Sequence, residues 1–162
     1  MKAKVKAKAM PDGLRTVTPR IVVEGADKVI EFLKKVFDAK VTERLVRPDG
    51  KIGHAQVRIG DSTVMIGEAG GGGACGATPA NLYVHVKDAD ATYKRALKAG
   101  GASVMEPMDM FWGDRYGAVK DRAGNTWGIA THVENVSSAE LKKRAATFMA
   151  KQPAAAPPPA AP

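Results

Sequence analysis

The chain repeats its own plan, and this constrains the fold more than any other feature. Aligning "VVEGADKVIEFLKKVFDAKV" (22–41) with "HVKDADATYKRALKAGGASV" (85–104), an offset of 63 residues, pairs Val23 with Val86, Ala26 with Ala89 and Asp27 with Asp90. Ala39 then meets Ala102, and Val41 meets Val104. Further on, "IGDSTVMI" (59–66) meets "AGNTWGIA" (123–130) at an offset of 64. The identities are few, so the weight rests on the order of elements, which is the same in both halves.

Residues 19–23 alternate as a short apolar strand. Gly25 and Asp27 open a helix whose Val29, Phe32, Leu33, Val36 and Phe37 fall at i, i+3, i+4, i+7 and i+8, a single apolar stripe. A strand follows (40–47), then "RPDGK", whose Pro and Asp-Gly favour a tight reversal. Strands 53–59 and 62–67 meet at Gly60-Asp61. The second half gives a strand at 81–86 and a helix with Tyr93, Ala96 and Leu97 on one face, ended by Gly100-Gly101. Strands follow near 103–106, 115–120 and 125–131. A last helix over 138–150 takes Ser137 or Ser138 as its N-cap, with Glu140 in the first turn. The expected class is α+β, with two tandem βαβββ modules (14–69 and 81–136) and a C-terminal helix (137–150). The glycine-rich stretch at 70–80 reads as a flexible linker, since no Lys-Ser/Thr follows it and no helix opens there to cradle a phosphate.

The length of 162 residues suits one compact domain or two small modules sharing a core. No apolar run is long enough to span a membrane. The basic N-terminus lacks the apolar segment of a secretory signal. The single cysteine, Cys75, cannot form an internal disulfide, so a reducing cytoplasm is the expected location. The formal charge is +8, and Lys2, Lys4, Lys6, Lys8 and Lys151 against Asp12 place +4 of it in the two ends. Residues 1–13 read as a basic disordered arm. Residues 151–162, rich in Ala and Pro, read as a disordered tail. Nucleic acid is not an expected partner, because no stacking aromatics or helix-turn-helix pattern accompany the lysines.

Four stretches carry a family resemblance: "TPRIVVEGADKVIEFLKKVF" (18–37), "PDGKIGHAQVRIGDSTVMI" (48–66), "LYVHVKDADATYKRALKAGG" (82–101) and "FWGDRYGAVKDRAGNTWGIATHVENVS" (111–137). Together they resemble the vicinal oxygen chelate superfamily, which includes glyoxalase I, extradiol dioxygenases, fosfomycin-resistance enzymes and bleomycin-binding proteins. Its PhnB-like branch is the nearer match. The likeness runs from about Thr16 to Phe148 and is specific for fold and branch, not for reaction. One departure is "DRAG" (121–124), where the branch usually has "DPFG". The resemblance implies the glyoxalase/bleomycin-resistance fold of curved mixed sheets, with two cups side by side. It also implies a homodimer, since members often pair modules between chains.

Metal-using members hold a divalent ion with one side chain from the first and one from the last strand of each module. By position the resemblance assigns those places to Thr18, Asn81, Gly128 and either Val64 or Met65. None is a normal ligand for a hard or borderline ion. The expectation is therefore no metal site and no cofactor, with a divalent metal held elsewhere as the alternative.

Strand alternation sorts the side chains by face. Ile21, Val23, Ala55, Val57, Ile59, Leu82, Val84 and Val86 face the helices, and Trp127 packs beneath one. Thr18, Arg20, Val22, His54, Gln56, Arg58, Asn81, Tyr83 and His85 take the other face. His54 and His85 are candidates for acid–base chemistry or ligand hydrogen bonding, as histidine titrates near neutrality. Trp112 and Tyr116 could form an aromatic wall for a flat ligand. Asp114 and Arg115 could pair to pin their loop, or Arg115 could grip an anionic group. Asp121, Gly124 and Asn125 read as a structural turn, and His132 as a packing or capping residue.

The expected protein therefore binds a small organic molecule through Arg20, His54, Gln56, Tyr83, His85, Trp112, Arg115 and Tyr116. The alternative is a metal-dependent or acid–base lyase, isomerase or dioxygenase-type enzyme. A role in nucleic-acid binding through the lysine arm is a third reading.

Overall fold

The computed structural model describes residues 8–71 and 76–151. The lysines at 2, 4 and 6, Cys75 and the tail from 152 lie outside the described residues. The repeat takes the form of two four-stranded sheets built alike. The first runs β1 (Arg20–Val23), β4 (Ser62–Glu68), β3 (Ile52–Ile59) and β2 (Lys40–Val46) across its width. The second runs β5 (Asn81–His85), β8 (Thr126–His132), β7 (Asp114–Lys120) and β6 (Ala102–Asp109). In each, the first strand pairs parallel with the last and the rest pair antiparallel.

Helix α1 (Ala26–Phe37) buries the predicted stripe of Val29, Phe32, Leu33, Val36 and Phe37, and adds Ile30. Its N-cap, Gly25, is left-handed at φ 78° and has no side chain to cap the helix. Glu68, at the end of β4, supplies the acceptor instead. Its carboxylate takes the Gly25 and Ala26 amides at 3.0 and 2.8 Å. Burial would raise the Glu68 pKa, but these two amide bonds and Lys51 hold it below the usual carboxylate value.

Helix α2 (Ala89–Lys98) is capped by Asp88, which accepts from the Ala91 amide at 2.9 Å. Its buried face is Ala89, Thr92, Tyr93 and Ala96; Leu97, expected on that face, is 38% exposed. The helix closes with the Gly101 amide on the Ala96 carbonyl and Gly100 at φ 94°, the glycine stop read from the sequence. Helix α3 (Ser138–Ala150) starts at Ser137, which accepts from the Glu140 amide. None of its residues is fully buried.

Helices α1 and α2 pack on each other and each packs on its own sheet, so one continuous core joins both modules. Phe37 of α1 meets the fully buried Trp127 of β8 with ring centroids 5.8 Å apart. The sheets themselves do not pair, and each closes as a separate four-stranded sheet.

Two further departures have local causes. β6 runs on to Asp109, past Pro107, since it is an edge strand and its pairing is irregular between Met105 and Met108. The linker is held where it is described: the Thr78 amide bonds the Val22 carbonyl along the free edge of β1, and the Ala80 amide bonds Asn125 Oδ1.

Candidate functional site

Period-two alternation places Tyr83 and His85 of β5, Asp114 and Tyr116 of β7, and Gly128, Ala130 and His132 of β8 on the outer face of the second sheet. β8 lies between the other two strands, and its inner positions are small. Gly128 pairs with Tyr83 and Ala130 with Tyr116. The two tyrosine rings, from strands that do not touch, lean over these small residues and stack, with centroids 5.1 Å apart and planes 14° apart. His85 flanks Tyr83 at 5.1 Å and Trp112 meets Tyr116 at 6.1 Å.

One carboxylate organises this end of the sheet. Asp114 has only 9% of its side chain exposed. Tyr83 Oη donates to its Oδ2 at 2.6 Å, and His132 Nδ1 donates to its Oδ1 at 2.8 Å. His85 Nε2 stands 3.6 Å from Oδ2. Trp112 Nε1 donates in turn to Tyr83 Oη at 3.3 Å, and His132 Nε2 reaches Asn135 Oδ1 at 2.9 Å. Burial alone would raise the Asp114 pKa, but the Tyr83 and His132 bonds and the nearby imidazoles bring it below the usual range. Burial and then the bond to Asp114 push Tyr83 up to about 12, so its hydroxyl stays protonated and cannot serve as a base near neutrality. His132 is raised, first by Asn135 and then by Asp114, because two acceptors on one ring favour the imidazolium.

Arg115 is on the opposite face. It forms ion pairs with Asp90 at the start of α2, where one contact is Nη2 to Oδ1 at 2.8 Å, and with Asp109 of β6 at 3.1 Å. The suggested Asp114–Arg115 pair does not form, because neighbours on a strand point to opposite sides. Asp121 anchors the turn before β8. It accepts from the Ala123 and Asn125 amides, the Asn125 side chain and the Trp127 indole, all within 3.0 Å, and it is 5% exposed.

The first sheet's outer face carries Arg20, His54, Gln56 and Met65 in matching register. Gln56 donates to Glu43 at 2.8 Å. Among the described residues neither Arg20 nor His54 makes a side-chain hydrogen bond. The structure thus gathers Tyr83, His85, Trp112 and Tyr116 at the second sheet and leaves Arg20, His54 and Gln56 on the first. A hollow of about 490 Å³ lies elsewhere, between α1 and the 121–123 turn. Carboxylates and cations alternate around it, and no buried polar group is left unpartnered there, so it offers no defined contact set.

The model of the Glyoxalase/Bleomycin resistance protein/Dioxygenase superfamily matches residues 14–129, most of the chain and both modules. The chain belongs to that superfamily. It is 38% identical over 135 residues to an uncharacterized protein of Mycobacterium bovis, covering 78% of this chain and 89% of that one. Among solved structures it is similar to TioX from Micromonospora, at 27% identity and a TM-score of 0.59, over 72% of this chain and 99% of that one. It shares its fold with a PhnB protein from Bacillus cereus described as a putative 3-demethylubiquinone-9 3-methyltransferase, at 20% identity, a TM-score of 0.59 and the same coverage.

Within the superfamily, the strand register now decides between the two first-module candidates. Arg20 pairs with Met65 as Tyr83 pairs with Gly128, so Met65 is the counterpart of Gly128, while Val64 faces the helices and is 6% exposed. Met65 offers only a soft thioether and Gly128 no side-chain donor, which leaves a hard divalent ion just the two neutral oxygens of Thr18 and Asn81, and Thr18 Oγ1 already donates to the Arg15 carbonyl. At Gly128 the misfit is also spatial: a Cβ there would stand 2.7 Å from the Tyr116 ring. A glutamate at 128 requires that ring to move.

From sequence Asp114 was read only as a possible partner of Arg115 and His132 as a packing or capping residue, neither as a ligand contact, and Asn135 was not singled out. The signal for the first two was strand parity. Asp114 lies two residues from Tyr116, and His132 lies four from Gly128, which puts all of them on one face.

Proposed function

We propose that the protein binds a planar organic molecule on the outer face of its second sheet, without the superfamily's usual metal. The observation that carries this reading is the stacked Tyr83–Tyr116 pair lying across Gly128, with Tyr83 46% exposed to solvent. An exposed aromatic surface braced by a satisfied polar network is suited to stacking a flat ligand, because the rings lose little freedom on binding. His85 and Trp112 border this surface and Arg115 does not.

The second wall is proposed to come from another copy of the chain. Arg20, His54 and Gln56 stand on the other sheet, and a homodimer would bring them against the tyrosines of a second copy. No helix among the described residues is long and apolar enough to cross a membrane; a cytoplasmic location remains part of this proposal.

A second reading has its own observation. His85 is 63% exposed and its Nε2 faces the buried Asp114 carboxylate at 3.6 Å, the arrangement of an oriented general base. This would support an acid–base lyase or isomerase.

Thermal shift and calorimetry against a panel of aromatic compounds test the binding reading, with stabilisation by planar members expected. No response to any of them would overturn it. Elemental analysis of the purified protein is expected to show no stoichiometric divalent metal. Turnover lost in His85→Ala but kept in His54→Ala would favour the enzyme.

A further inference from the structure

Tyr116 does more than fill space above Gly128. Its neighbour Tyr83 has its hydroxyl committed, donating to Asp114 at 2.6 Å and accepting from Trp112 at 3.3 Å. Tyr116 Oη makes no hydrogen bond among the described residues. No buried side-chain polar atom is left unpartnered, so this hydroxyl reaches solvent rather than being sealed under the rings. A Cβ on Gly128 would lie 2.8 Å from that oxygen, which places the hydroxyl over the position the superfamily's last-strand ligand would occupy.

We propose that Tyr116 is the specificity-determining residue of the second sheet. Its ring closes the ligand position at 128, and its free hydroxyl donates to a hydrogen-bond acceptor on a neutral planar ligand stacked on the tyrosine pair. The inference rests on the binding reading above and narrows it to a chemical class: flat, uncharged rings bearing a carbonyl or ring-nitrogen acceptor. Three features set that class. Electron-rich phenol faces stack best on flat, electron-poor rings. The one strong charge beneath them, Asp114, is buried and already paired with Tyr83 and His132, so it does not reward a cationic ligand. Of the two cations of β7, Arg115 points to the other side and is paired with Asp90 and Asp109, and Lys120 shares the tyrosines' face but lies four residues along the strand from Tyr116, roughly 13 Å away, so neither rewards an anionic ligand at the tyrosine pair.

The test uses N-methylphthalimide, which is planar, neutral and carries two carbonyl acceptors, against its saturated hexahydro analogue. Calorimetry on the full chain is expected to show binding of the first and at least tenfold weaker binding of the second. Tyr116→Phe keeps the ring and removes only the hydroxyl. It should weaken N-methylphthalimide by about fivefold, the effect of one neutral hydrogen bond. Gly128→Ala, checked for folding by circular dichroism, should displace the ring and weaken binding further.

Equal affinity of wild type and Tyr116→Phe would overturn the role of the hydroxyl while leaving the stacking platform standing. Failure of wild type to bind the planar probe at all would overturn both the class and the platform. Equal binding of the saturated analogue would show that planarity is not selected, and the proposed class would fall.

Discussion

The two modules share a topology and differ in what they expose. On the first sheet's outer face, Arg20 and His54 stand without side-chain hydrogen bonds among the described residues, and Met65 occupies the middle of the last strand. On the second, Gly128 holds the same register, and two tyrosines, two histidines, a tryptophan and an aspartate form one network. The difference teaches how a repeated fold acquires one specialised face. A small residue on a central strand lets bulky side chains from both neighbouring strands meet above it. Methionine at the same place leaves no such gap, and the first face stays a set of separate side chains.

The comparison breaks most sharply at Asp114. Asp114→Ala removes two charge-assisted hydrogen bonds and should cost about 3 kcal/mol of stability. His54→Ala on the other face should stay within about 0.5 kcal/mol. Chemical denaturation of the two variants measures the contrast, and similar losses would deny the second face its organising role.

Next come the matched positions. Gly128→Glu must force the Tyr116 ring aside and should cost about 2 kcal/mol. Met65→Glu should cost less than about 1 kcal/mol, because it lies half-exposed on an open face. Thermal melts of the pair would show whether the glycine is required or merely present.

The pH dependence sharpens the comparison further. His132 has a raised pKa in the fold, so the stability it adds is full below its unfolded value and is lost as pH rises through the folded one. Asp114 has a lowered pKa, so its contribution is present above its unfolded value and is lost as pH falls through the folded one. The gap in Tm between wild type and His132→Gln should therefore be widest at about pH 5–6 and narrow toward about pH 9. A gap that widens with pH would contradict the pairing.

Arg115 gives the smallest effect. Arg115→Gln breaks exposed ion pairs to Asp90 and Asp109, which are weak in water. It should lower Tm slightly and leave aromatic-ligand binding unchanged; a loss of binding would place Arg115 back among the ligand contacts.

Much of this was legible before the fold was described. The 3.6-residue stripe of α1, the Gly100-Gly101 stop, the Ser137 cap and the buried Asp121 turn all follow from local patterns. Face assignment by alternation put Tyr83 with His85 and His54 with Gln56. Reading Asp114 against Arg115 failed because adjacency in sequence was allowed to override that same alternation. Leu97 failed for a different reason: on a ten-residue helix the buried stripe centred on Tyr93 and Ala96, and the contacts with α1 and β7 decided its edge.

The sequence by itself determined the repeated βαβββ plan and the helix and strand faces. These depend on the period of the backbone and on side-chain chemistry, and both are local. Only the tertiary structure decided that β8 lies between β5 and β7, which brings Tyr83 and Tyr116 together over Gly128. It also decided that α1 and α2 pack on each other, which joins the two modules in one core. Which strand becomes whose neighbour is fixed by burial between distant segments, and no local pattern carries that information.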